Sequence, residues 1–302
     1  ATFMRMKDDY MRNGQLKPGY NIQIATENQY VLAYDVFPNP TDTKTLNPFL
    51  DRFLDQHSEL PNYIVADAGY GSEENYLYIH DVLGKTPLIT YGGYYKEQKK
   101  KTKANPFIVE NWSYVEEQDL YICPAKRPVN FKRYSRRTDK SGFVRDLKIY
   151  ECENCQGCPV RSSCTRAEEG KNRQIQVNNT WRYFKAECKK KLLEEQTGAI
   201  YRRRKIEVEP VFGHLKAQLA FHRFHLRGKQ GAKIDVGLAF MALNLRKLGR
   251  YMEGKVQLKE KMSPLLIKTI KSGLIFIQRL DYCPRLILIE LCNTIDQLYS
   301  RY

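Results

Sequence analysis

The 302-residue chain has no uninterrupted apolar run of about 18 residues, which excludes a membrane-spanning helix from this sequence. The opening ATFMRMKDDYM has neither an initiator methionine nor the apolar core of a secretory signal, so the chain is expected to start inside a longer protein. No internal repeat is visible, which argues against a stacked-repeat architecture. Negative charge is also scarce. Against 50 Lys and Arg stand 34 Asp and Glu, a net charge of +16. A surface with that balance attracts polyanions, of which nucleic acid is the commonest; an acidic membrane surface is the alternative.

Eight cysteines are present, and in a chain of cytosolic character they read as metal ligands before disulfides, because four crowd together. Cys152, Cys155, Cys158 and Cys164 form C-x2-C-x2-C-x5-C. Thiolates at these spacings satisfy a tetrahedral Zn²⁺ with no open position, a structural site for a small segment with little core of its own. An iron–sulfur cluster is the competing reading, since ferredoxin runs also separate cysteines by two residues. Cys123, in YICPAK, is a fifth candidate, whereas Cys188, Cys283 and Cys292 read as core or helix positions.

GYNIQIATENQYVLAYDVFP alternates as two strands around a polar turn, a hairpin. TKTLNPFLDRFLDQHS has helical spacing, with Thr41 or Asp42 as its N-cap. NYIVADAGYGS gives a short buried strand, Tyr63 to Ala66, running into Asp67 and a glycine turn; EENYLYIHDVLG continues as helix and PLITYGG as strand. This order predicts an α/β fold with a mixed sheet and flanking helices. From about Tyr95 a lysine run reads as a solvated loop and the segment beyond it as a small β-rich insertion holding the cysteine cluster; helical periodicity resumes near Thr180. The expected divisions are 1–94, the insertion 95–178, a helical segment 179–253 and an amphipathic tail 254–302 of unassigned role.

Two carboxylates stand out. Asp67 sits where a buried strand opens into AGYGS, at the carboxyl edge of a sheet, where glycines let a backbone or phosphate approach; the plain reading is a cap on its own turn. Glu209 precedes Pro210 and so marks a helix start, and Lys216 falls within about 20° of it around the helix. Upstream lie four consecutive cations, Arg202, Arg203, Arg204 and Lys205. A solvated face would intersperse such charges.

GYNIQIAT, IVADAGYGSEENY, CENCQGCPVRSSC, RRRKIEVEPVFGHLK, FHRFHLRGK and ALNLRKL, in this order over roughly residues 1–250, resemble the DDE transposases of bacterial insertion sequences, in the subgroup with a cysteine cluster between the second Asp and the Glu. The resemblance implies a ribonuclease H-like core, interrupted by that insertion, in which two Asp and one Glu hold two Mg²⁺ or Mn²⁺ ions. Such an ion pair cleaves DNA strands and transfers them by in-line displacement. It makes Asp67 and Glu209 catalytic metal ligands. Tyr201, Arg202, Arg203, Arg204, Lys205, Lys216, Arg227 and Lys229 become contacts to double-stranded DNA, the element's terminal repeats and target. It also implies a bacterial cytoplasmic, nucleoid-associated protein without a membrane partner and, because two element ends must be synapsed, a homodimer.

The sequence departs from the family pattern in two places. Members place Arg four and Tyr seven residues before the Glu; here those positions hold Lys205 and Arg202, with Tyr201 and Arg204 each one residue early. The first catalytic Asp is expected upstream of GYNIQIAT, and Asp8, Asp9, Asp35 and Asp42 read instead as loop, strand and cap residues. A chain with two of three ligands is expected to cleave little DNA alone. Among the histidines, His222 and His225, amid aromatics, read as packed, with approach to DNA as the alternative; His214 faces either solvent or the site, and His57 and His80 show no partner. The alternative function is a non-catalytic basic zinc-containing DNA-binding protein whose acidic residues only cap helices.

Overall fold

The computed structural model describes residues 1–5 and 14–253; Asp8, Asp9, Cys283, Cys292 and the tail 254–302 lie outside the described residues. The fold is mixed α/β. Its strands are β1 (Thr2–Arg5), β2 (Leu16–Gly19), β3 (Asn21–Glu27), β4 (Tyr30–Phe37), β5 (Tyr63–Ala66), β6 (Thr86–Ile89), β7 (Ser113–Val115), β8 (Leu120–Ile122), β9 (Pro128–Thr138), β10 (Val144–Cys152) and β11 (Gln174–Val177). The helices are α1 (Leu46–His57), α2 (Glu73–Leu77), the one-turn α3 (Tyr94–Glu97), α4 (Lys100–Lys103) and α5 (Arg161–Cys164), then α6 (Asn179–Leu193), α7 (Glu195–Glu207), α8 (Glu209–Ala217) and α9 (Gly228–Glu253).

The described residues divide into two compact units. Unit one comprises 1–5, 14–40, 49–59 and 205–253. In it β3 and β4 form the expected antiparallel hairpin, closed by Asn28 and Gln29, both at positive φ (49° and 62°). That geometry twists a two-residue turn to match its strands, and Asn tolerates it well. Behind the hairpin, Val31 and Val36 pack with Val211 and Leu215 of α8 and Ala232, Val236 and Phe240 of α9. α9 approaches closely because residue 237 is glycine: a Cβ there would lie 2.0 Å from Tyr34 Oη. Asp35, 1% exposed, forms ion pairs with Arg52 and with Lys233, the latter at 3.3 Å. Burial lowers the Lys233 pKa, and the neighbouring Arg52 charge adds to the effect.

Unit two comprises 41–48 and 60–204. In its parallel pair β5–β6, β6 packs with α6, and Tyr76 of α2 donates to Ile89 O at 2.6 Å. The rest is an antiparallel five-stranded sheet, ordered β11-β10-β9-β8-β7 and lying within the expected insertion 95–178. The lysine run expected as a loop carries the short helices α3 and α4 instead. Glu97 at the end of α3 accepts from Tyr91 Oη at 2.6 Å and pairs with Lys185 (2.5 Å) and Lys189 (2.9 Å). These contacts tie the end of α3 to α6.

Candidate functional site

Asp67 directly follows β5 and Thr90 directly follows β6. Since Ala66 pairs with Ile89 in the parallel ladder, the two emerge side by side at its carboxyl edge, where open α/β sheets bind ligands. Asp67 is extended (φ −83°, ψ 178°), and its carboxylate accepts the Gly69 N–H at 2.8 Å, so it does cap its own turn. A Cβ built at Gly69 would lie 2.9 Å from Asp42 Oδ2 and 3.0 Å from Asp67 Oδ1, so two carboxylates flank one point.

Asp42 is the residue that sequence reasoning missed. It opens a single 3₁₀ turn, Asp42–Lys44, and its neighbour Thr41 makes no capping side-chain bond, against the expectation that one of them caps α1. No sequence signal links positions 42 and 67; only the fold brings them together. Gly71 fixes the other side of the turn, because a Cβ there would lie 2.2 Å from Thr90 O and 2.7 Å from Tyr91 Cα. Asn75 closes the loop from below, donating to Thr43 O (3.1 Å) and Tyr70 O (2.7 Å).

α7 brings cations to the same strand edge. The Tyr201 hydroxyl shares a hydrogen bond of 3.0 Å with Thr90 Oγ1; burial raises its pKa, with the Thr90 bond opposing. The Arg204 guanidinium carbon lies 5.8 Å from the Tyr201 ring centre, and its buried Nε has no acceptor among the described residues. A buried donor in that position favours an anionic acceptor. Arg202 and Arg203 are exposed on the same helix.

In unit one, α8 starts at Glu209 with Pro210 in its first turn, where the missing N–H costs nothing. Its buried residues Val211 and Leu215 turn inward, which at about 100° per residue leaves Glu209 and Lys216 together on the opposite face. Glu209 is exposed and Lys216 half-buried. Lys205, Arg227 and Lys229 are exposed, with Lys229 Nζ 5.7 Å from the Phe37 ring centre. His222 and His225 are exposed too, not packed as expected: His225 is held at the surface by Asp235, which accepts its backbone N–H at 2.6 Å. His214 is half-buried, His57 Nε2 lies 3.2 Å from Leu32 O, and His80 pairs with Asp81.

The cysteines gather elsewhere in unit two. Cys152, Cys155, Cys158 and Cys164 line one cavity, and Cys123 joins them from the end of β8. Backbone N–H groups are aimed at two of the sulfurs, Arg127 at Cys123 and Arg173 at Cys155, each at 3.3 Å. The Arg173 side chain approaches the Cys164 sulfur at 2.9 Å. Burial, then the adjacent Cys155 and Cys123 thiols, pushes the Cys152 thiol up to about 12. Cys188 is separate, buried in the core as expected and donating to Ile89 O at 3.1 Å. Among the described residues, no three His, Cys, Asp or Glu side chains stand ready-converged around an ion.

Residues 122–249 match the family model of the transposase DDE domain. The match spans β9 to α9 and takes in the cysteine cluster, the basic stretch of α7 and Glu209; it leaves the Asp67 edge outside. No curated protein and no solved structure matches the chain. No described helix is long and apolar enough to cross a membrane.

Proposed function

We propose that this chain is a DNA transposase of the DDE type, a class that cleaves DNA strands and transfers them with the help of Mg²⁺ or Mn²⁺; with two of the three carboxylate ligands assigned, it is expected to cleave little DNA alone. The observation that carries the reading is the match of residues 122–249 to the transposase DDE domain, whose members use divalent metals and act on DNA. A ribonuclease H-like arrangement of the core is part of the same proposal, with 95–178 as the insertion and 179–253 completing the core.

Asp67 and Glu209 are the metal ligands in this reading, and the chemistry of the donors fits: hard carboxylate oxygens suit Mg²⁺ and Mn²⁺. Asp42, whose carboxylate flanks the same point beside Gly69, offers a second hard oxygen at that edge. The ions would supply Lewis-acid stabilisation of the displacement at phosphorus. This chain's own residues bind and orient the substrate. Arg204 offers its buried Nε to a phosphate oxygen, Tyr201 anchors the helix that carries it, and Arg202, Arg203, Lys205, Arg227 and Lys229 grip the DNA backbone. Lys216 shares the Glu209 face and contacts a phosphate near it. A homodimer follows from the need to hold two DNA ends.

A structural Zn²⁺ at the cysteines is part of the proposal; it rests on their spacing and shared cavity, and binding would have to draw the thiols together, because no three of them converge among the described residues. Soft thiol donors line one cavity, N–H groups are aimed at two sulfurs, and Cys152, Cys155, Cys158 and Cys164 would hold the ion, with Cys123 lining the same cavity as a fifth candidate.

The non-catalytic alternative draws on one observation, that Asp67 caps its own turn. A Mn²⁺ titration followed by electron paramagnetic resonance separates the two readings. The transposase reading expects bound Mn²⁺ to be lost in both Asp67→Asn and Glu209→Gln. Binding that survives either substitution unchanged overturns it.

A further inference from the structure

We propose that the open end of one face of the five-stranded sheet, at Phe131 and Tyr134, is a stacking platform for single-stranded DNA. The inference starts from an irregularity in the β9–β10 ladder. Arg133 pairs with Ile149 and Phe131 with Tyr150, so Lys132 is an extra residue, a β-bulge. In a regular strand Phe131 and Tyr134, three positions apart, would point to opposite faces. The bulge turns them to the same face, with ring centroids 4.9 Å apart.

The two rings begin a row. Phe131 lies 5.8 Å from Tyr150, Tyr150 lies 5.0 Å from Tyr121, and Tyr121 lies 4.8 Å from Tyr114. The inner two belong to the sheet's core, with Arg182 lying over the Tyr121 ring, and serve as a rigid backing; the rings open to solvent at the platform are Phe131 (36%) and Tyr134 (72%). Asp119 holds the row in place, accepting from Tyr150 Oη (2.5 Å), Tyr114 Oη (2.7 Å) and Lys148 Nζ (3.0 Å). An aromatic ring left this open beside a rigid row has no role in the core.

Cations accompany the rings. Lys148, opposite Tyr134 in the ladder, has its Nζ 5.8 Å and 6.0 Å from the centres of Phe131 and Tyr134. Arg136 shares the face, and exposed Lys132, Arg133 and Arg137 continue along the strand. Arg136 pairs with Asp146 at a fully open position, an ion pair that is weak and exchanges readily for phosphate, whereas Lys132 pairs with the half-buried Glu151. Exposed rings interleaved with cations match unstacked bases on a phosphate backbone. A duplex hides its base faces and cannot use them. The choice of DNA over RNA rests on the transposase reading; the platform itself rests on the sheet.

The test is fluorescence anisotropy with a dye-labelled oligothymidylate of about 15 nucleotides and a duplex of the same length. Stacking is worth about 1–3 kcal/mol per base, so Tyr134→Ala is expected to weaken oligothymidylate binding roughly 5- to 150-fold. Tyr134→Phe is expected to restore it, and duplex affinity to change less than about twofold. Tyr134 is exposed enough that its truncation spares the core, which an unchanged melting temperature verifies. The proposal is overturned if the wild-type chain does not bind the oligothymidylate, if Phe131→Ala combined with Tyr134→Ala binds it as wild type does, or if duplex and single-strand affinity fall together. Asp67→Asn and Glu209→Gln are expected to leave this binding intact, so the platform and the metal site fail independently.

Discussion

Replacing Gly71 by alanine tests the architecture of the strand edge. A methyl group there would meet Thr90 O at 2.2 Å, Tyr91 Cα at 2.7 Å and Thr90 C at 3.0 Å. These are backbone atoms of a buried segment, so no rotamer change relieves the clash; the DAGYGS turn must move off β6. Overpacking of this kind costs about 1–3 kcal/mol or more, offset by about 0.4–1 kcal/mol from the stiffer unfolded chain. With a net loss of about 2 kcal/mol and about 2–4 °C per kcal/mol, the melting temperature of unit two is expected to fall by about 4–8 °C. Tryptophan fluorescence is the assay, because the chain's two tryptophans, Trp112 and Trp181, both lie in unit two. Two glycines calibrate the result. At Gly69 the neighbours are carboxylate oxygens that can swing aside, so Gly69→Ala is expected to cost less stability while separating Asp42 from Asp67. Gly92 has nothing within 4 Å of its Cβ position, and Gly92→Ala is expected to be neutral or slightly stabilising. If Gly71→Ala melts with Gly92→Ala, the close approach of the turn to β6 is refuted.

Burial alone would raise the Glu97 carboxyl, but hydrogen bonds from Lys185, Tyr91 and Lys189 outweigh it and hold the group at about 2, against 4.5 unperturbed. A depressed carboxylate stabilises above its unfolded pKa, so this contribution is expected to fade as pH falls from about 4.5 to 2; Glu97→Gln should cost about 1–3 kcal/mol at pH 7 and abolish that slope in acid melts. Arg52→Met leaves the buried Asp35 with Lys233 alone and is expected to cost about 2–4 kcal/mol in urea denaturation followed by circular dichroism, part of it recovered by adding Asp35→Asn. Elemental analysis is expected to find about one zinc per chain, lost in Cys155→Ser, with chelation lowering the tryptophan-detected melt; a visible iron–sulfur absorption band would replace zinc by the other reading.

The strand that ends just before Asp67 and the helix that starts at Glu209 are each legible in the sequence because their signals are local. A short apolar run stopping at Asp67 before two glycines marks a strand end, and a glutamate before proline marks the start of α8. The cysteine spacing was equally readable, although Cys123, distant in sequence, joins the others only through the β8–β9 pairing. What stayed hidden depends on tertiary placement. Asp42 looks like a helix cap until the fold sets its carboxylate beside Asp67. Phe131 and Tyr134 read as residues of opposite faces until a single-residue bulge reverses one of them. His225 looks packed among aromatics, yet Asp235 holds it at the surface.

The measurement that bears most directly on the transposase reading is a crystal structure of the protein with bound Mn²⁺. The account predicts that a carboxylate oxygen of Asp67 and one of Glu209 both lie about 2.1 Å from bound metal in a shared pocket. Mn²⁺ held by neither, or the two carboxylates facing separate surfaces, would contradict it.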